Sequence, residues 1–109
     1  MPDRRSERRM LCADMIHVQW KPPQGRLQSA TALLEDISPS GACLQLDFDV
    51  PIASEIQWRS ANQVFAGRVR YCVYREIGYF AGVEFVGGKE WSEAVYHPEH
   101  LLDVQKLLY

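Results

Sequence analysis

In CLQLDFDV (43–50), Leu44, Leu46, Phe48 and Val50 fall on one side of an extended chain, with Gln45, Asp47 and Asp49 on the other. A period of two is the mark of a strand with one face in a core and one in water. The same alternation turns Ile16, Val18 and Trp20 inward in MIHVQW, and Ile56 and Trp58 inward in EIQWRS. It turns Val69, Tyr71 and Val73 inward in RVRYCVY, and Tyr79, Ala81, Val83 and Phe85 in YFAGVEF. A less regular strand, LQSATALLEDIS, lies between the first of these and CLQL.

Turn formers punctuate the pattern: KPPQG at 21–25, SPSG at 38–41, VPIAS at 50–54, SAN at 60–62 and REIG at 75–78. About six strands at this spacing, joined by tight turns, predict a mainly β domain, an antiparallel sheet closed into a small barrel. After Gly87-Gly88 the pattern changes. PEHLLDVQKLLY reads as a helix, with Pro98 in its first turn and Glu99 at its positive end. Leu101, Leu102, Val104, Leu107 and Leu108 cover more than half of that helix, wider than the stripe needed to dock on its own core. The surplus apolar face suits a partner protein or a second copy of the chain.

With 109 residues, 47% of them hydrophobic, the chain is sized for one globular domain and one core. It divides into a basic arm (1–10), a barrel (11–88) and a helical segment (89–109). The net charge of −2 conceals an asymmetry, because the first nine residues hold four arginines against Asp3 and Glu7. So charged an arm is expected to be flexible on its own. Cys12, Cys43 and Cys72 are odd in number and sit in apolar stretches, which suits buried thiols in a reducing, cytoplasmic setting. No apolar run reaches membrane-spanning length, so membrane insertion is not expected.

No nucleophile–base pattern, phosphate-cradling glycine loop or paired carboxylates stand out, so an enzyme is not expected. His97 and His100 are three apart, but Pro98 interrupts the turn between them and no third ligand follows at metal-site spacing. His17 falls on the polar phase of its strand. Neither a metal nor a cofactor is called for.

Two motifs remain. In DRRSERR both Arg4/Arg8 and Arg5/Arg9 fit R-x-x-x-R, and DISPSG places Asp36, Ser38 and Gly41 at a strand-to-strand corner. Arginine offers a planar fork that matches phosphate oxygens and the O6/N7 edge of guanine, and it stacks on flat bases. A carboxylate accepts from a base's ring N–H and amine, a serine hydroxyl bonds a phosphate or base edge, and glycine permits close approach. Together these residue types describe a pocket for an anionic guanine nucleotide. DNA or RNA is not the expected partner, since outside the arm the chain is acidic.

The order of these features, from DRRSERR through DISPSG to RVRYCVYREIGYFAGVEF, resembles the PilZ domain, a bacterial receptor for cyclic di-GMP. The resemblance implies a six-stranded antiparallel barrel with a C-terminal helix. It also implies an arginine arm that folds over the nucleotide while the D-x-S-x-x-G corner holds it from below. The arm motif falls best on Arg5 and Arg9, with Arg4 and Arg8 secondary, so that these arginines meet guanine and phosphate alongside Asp36 and Ser38, while Gly41 keeps the turn tight. Ligand binding would order the arm and change the surface that a downstream protein sees. Glu7 between the clamp arginines and the broad apolar helix face motivate the alternative, a PilZ-fold interaction module that binds no nucleotide.

Overall fold

A computed structural model describes residues 9–60 and 63–86 and the backbone of residues 102–103. Its strands are β1 (Met10–Lys21), β2 (Gln28–Ser38), β3 (Gly41–Leu46), β4 (Glu55–Ser60), β5 (Gln63–Arg75), β6 (Gly78–Phe85) and the two-residue β7 (Leu102–Asp103). All pairings are antiparallel, in the order β2-β3-β6-β5-β4-β1, and β1 returns to pair with β2. Six strands therefore close on themselves, as the alternation predicts, and closure removes the exposed edges that an open sheet would present.

Beyond the stretch where β1 pairs with β4 (Val18–Lys21), its opposite end takes a different neighbour, Met10 pairing with Asp103 and Leu11 with Leu102. The expected C-terminal helix otherwise lies outside the described residues. At Leu102–Asp103 the backbone is extended rather than helical, because it adds to the edge of β1 that β4 leaves open.

The inward phase forms one core. Val18, Leu34, Ile37, Leu44, Val50, Val69 and Ala81 are fully enclosed, and Trp58 stacks on Phe65 with ring centroids 5.6 Å apart and Phe85 tilted against both. Each enclosed Val, Leu or Ile side chain contributes about 1.5–3 kcal/mol relative to exposure. His17 faces solvent as its phase predicts, while Trp20 and Trp58 are buried.

Two expectations fail. Phe48 is exposed, because β3 ends at Leu46 and the chain bends through Asp47–Phe48 before Val50 re-enters the core. Tyr71 and Val73 point outward, because the ladder between β5 and β6 slips at Arg70: Val69 faces Val83, yet Tyr71 faces Gly82 and Cys72 faces Ala81. One extra residue in one strand reverses the face of everything that follows. A second bulge, at Glu35 of β2, explains the irregular spacing of Leu34 and Ile37, both of which are buried. A third interrupts β1 between Leu11 and Asp14.

Candidate functional site

The bulges at Glu35 and Arg70 lie on either side of a shallow cleft on the outer surface of the barrel. Its floor is a row of direct cross-strand partners: Asp36 of β2 opposes Cys43 of β3, Cys43 opposes Gly82 of β6, and Gly82 opposes Tyr71 of β5. One residue along β2, β3 and β6, and two along β5 across its bulge, Ile37, Ala42, Val83 and Val69 form the parallel row that faces the core. The cleft thus stands directly above packed side chains, which hold its floor in place.

The corner between β2 and β3 is a two-residue turn, Pro39-Ser40, closed by the pair Ser38 and Gly41. The Ser38 hydroxyl donates to the Gly41 carbonyl at 3.3 Å, and the Phe85 N–H donates to the Ser40 carbonyl at 2.8 Å, tying the corner to the end of β6. Gly41 is required by a neighbouring strand: a Cβ there would lie 2.2 Å from the Val83 carbonyl oxygen. On sequence this glycine admits a ligand, whereas the group that approaches it is the backbone of β6.

Arg9 precedes β1 and reaches the corner: its Nη2 donates to Asp36 Oδ2 at 2.7 Å, joining residues 27 apart in the chain. The Asp36 side chain is 15% exposed and the Arg9 side chain 59%. The pair is thus an exposed cation held over a sheltered carboxylate. Arg9, Asp36, Ser38, Ser40, Gly41, Cys43, Arg70, Tyr71 and Gly82 all border one cavity of about 320 Å³, at the lower end of the range for ligand pockets. Arg4, Arg5 and Arg8 lie outside the described residues.

Burial, reinforced by the charge of Asp36, pushes the Cys43 thiol up to about 11. Burial raises the neighbouring Tyr71 phenol as well. Both side chains therefore enter the cleft neutral at ordinary pH, the acidic charge coming from Asp36 and the basic charge from Arg9 and Arg70. Among the described residues no group of His, Cys, Asp and Glu is placed to hold a metal, and no helix is long and apolar enough to cross a membrane.

The PilZ domain family model matches residues 2–94. The chain belongs to the PilZ family. Among solved structures, this PilZ chain resembles that of the Bacillus subtilis inhibitor of motility MotI/DgrA, with a TM-score of 0.51 and 13% identity. The match covers 85% of this chain and 46% of that one, so the PilZ domain here spans about half the length of its neighbour. At that identity the likeness is one of fold. No curated protein matches the sequence.

The PilZ barrel brings Arg9, Asp36, Ser38 and Gly41 together as the two motifs imply, and adds residues that alternation alone misplaced or passed over. Arg70 and Tyr71 reach the cleft through a bulge that a strict two-residue period does not register. Gly82 carried the clue, since an isolated glycine inside a strand marks the close approach of another group. That group is the Tyr71 ring, whose Cε2 would lie 1.9 Å from a Cβ at position 82.

Proposed function

We propose that this PilZ domain is a receptor for cyclic di-GMP that binds the nucleotide in the cleft at the β2–β3 corner and passes the signal to a partner protein. The observation that carries the reading is the Arg9–Asp36 contact, which sets the last arginine of the arm motif on the first residue of the corner motif. Asp36 accepts from the guanine ring N–H and amine, and Ser38 meets a phosphate or base edge. Arg9, released from Asp36, turns its fork to the O6/N7 edge or to a phosphate.

Arg9 and Asp36 satisfy one another at 2.7 Å, so a nucleotide binding here exchanges one charge-assisted hydrogen bond for several. The arm, with Arg5 as the second clamp residue, gives up conformational freedom on closing over the ligand, and the new hydrogen bonds offset that cost. The outcome is a changed surface over the corner, which is what a partner reads.

Calorimetric titration with cyclic di-GMP, using GTP and GMP as controls, tests this directly. Saturable binding of the cyclic dinucleotide, lost in Arg9→Ala and in Ser38→Ala, is expected. Binding retained in both variants sinks the residue assignment. A flat titration of the wild-type chain, verified by a second method, favours the interaction module that binds no nucleotide.

A further inference from the structure

The strand β5 (Gln63–Arg75) outruns its neighbour on one side. It pairs with β4 only as far as Arg68, while its pairing with β6 continues to Arg75. Val69 is met by the corner that precedes β4: the Ala53 N–H donates to its carbonyl at 2.8 Å, and its own N–H donates to the Ser54 carbonyl at 3.0 Å. Past that point the Pro51–Ser54 turn leads the chain away, and among the described residues no strand lies along the second edge of Tyr71–Arg75. The hairpin decides which backbone groups face that edge. Arg75 and Gly78 close a two-residue turn and exchange both ladder bonds, as do Val73 with Phe80 and Tyr71 with Gly82, so the N–H and C=O of Cys72 and Tyr74 point the other way. The side chains around this edge are apolar and uncovered: Tyr74 is 67%, Ile77 68%, Ile52 64% and Val73 40% exposed. An unpaired edge with such flanks is a template for another strand.

We propose that this edge pairs with the same edge of a second copy of the chain, antiparallel about a two-fold axis through Val73. The outward-facing groups at Cys72 and Tyr74 fix the register. Cys72 of each copy stands opposite Tyr74 of the other and exchanges both bonds with it, while Val73 faces itself. An axis at Cys72 drives each copy into the corner that holds Val69, and an axis at Tyr74 sets Cys72 against the Glu76-Ile77 turn. In the Val73 register Tyr71 stands opposite Arg75 and Arg70 opposite Glu76, so no like charges meet. The hairpin turn of each copy arrives beside the Pro51–Ser54 corner of the other, where Ile77 and Ile52 are placed to cover one another. The edge thus carries both halves of every pair, cation with acid and apolar tip with apolar corner, which favours self-association over capture of a foreign peptide. The pairing is independent of the nucleotide reading, though it brings Arg75 of one copy beside Tyr71 at the cleft margin of the other.

Sedimentation equilibrium of the full chain without nucleotide, for wild type, Val73→Lys and Tyr74→Pro, reads the association. Tyr74→Pro removes a donor that faces away from β6, so the barrel keeps its ladder, and Val73→Lys sets two cations across the axis. Each variant is expected to weaken the dimer by roughly five- to a hundredfold. A wild-type chain that stays monomeric up to about 1 mM, or a dimer that both variants leave intact, overturns the proposal. Oxidation reads the register. In a Cys43→Ala/Cys72→Ala background, Val73→Cys is expected to form a disulfide-linked dimer, because residues facing each other in a non-hydrogen-bonded pair approach closely enough for the bridge. Arg75→Cys, exposed on the same face but well away from the axis, is expected not to. Equal cross-linking at the two positions overturns the axis at Val73.

Discussion

Replacing Gly41 by alanine tests whether the corner is set by the backbone of β6. The added Cβ would lie 2.2 Å from the Val83 carbonyl oxygen and 3.3 Å from its carbon, against the 3.4–4 Å of ordinary contact. A backbone carbonyl committed to a ladder cannot swing aside as a side chain does, so β3 and β6 have to part by about 1 Å. Overpacking of this kind costs about 1–3 kcal/mol. The Phe85–Ser40 hydrogen bond, 2.8 Å in the native corner, is stretched with it and forfeits about 0.5–1.5 kcal/mol more. The expected destabilisation is about 2–4 kcal/mol, a large share of the stability of a small domain, with a melting temperature lower by roughly 10–25 °C. Urea denaturation followed by fluorescence of the buried Trp20 and Trp58 measures it. Gly82→Ala is the internal control: its added methyl meets the Tyr71 ring, a side chain that can turn outward, and is expected to cost about 1 kcal/mol or less. A Gly41→Ala protein within about 0.5 kcal/mol of wild type, or one more stable than Gly82→Ala, would refute the reasoning.

Arg9→Ala is expected to change stability by less than about 1 kcal/mol, because a guanidinium 59% exposed is screened by solvent even at 2.7 Å from its partner. Equal urea midpoints for the variant and wild type, measured without ligand, check this and separate loss of binding from loss of fold. Cys12 and Cys43 make stability sensitive to alkali. Burial raises their thiols from 9.0 to about 12 and about 11, so the unfolded chain releases these protons first. The stability they contribute is intact below pH 9 and is lost as pH climbs from 9 through about 11 and 12. Urea midpoints taken from pH 8 to 11 are expected to fall less steeply in a Cys12→Ala/Cys43→Ala double variant than in wild type, and identical slopes would count against burial of the thiols.

The barrel was legible because most strands keep a strict phase: Ile16, Val18 and Trp20, or Ile56 and Trp58, announce a buried face by spacing alone. The corner was legible because Asp36, Ser38, Pro39 and Gly41 are chemically unusual in that order. What escaped was the face on which Tyr71 sits. A bulge adds a residue without altering composition, and Val69, Tyr71 and Val73 read as one apolar stripe until pairing with β6 shows that the stripe breaks at Arg70. Phe48 misled for a related reason: an alternating pattern runs on through a bend because hydropathy carries no record of where pairing stops. In both cases the missing information was the register and extent of pairing with another strand, which local periodicity cannot contain.

The row from Asp36 through Cys43 and Gly82 to Tyr71 crosses the pairing of β3 with β6, which joins Gly41 to Glu84 and Leu46 to Tyr79 across long excursions of the chain. Neither the β2–β3 hairpin nor the β5–β6 hairpin contains the whole row. A molecule that spans it acts as a clasp over a long-range join of the barrel. Its binding free energy is spent against the opening of that join, so amide exchange at Cys43 and Gly82 should slow in proportion to occupancy. A ligand held there would therefore report its binding as a change in the stability of barrel closure.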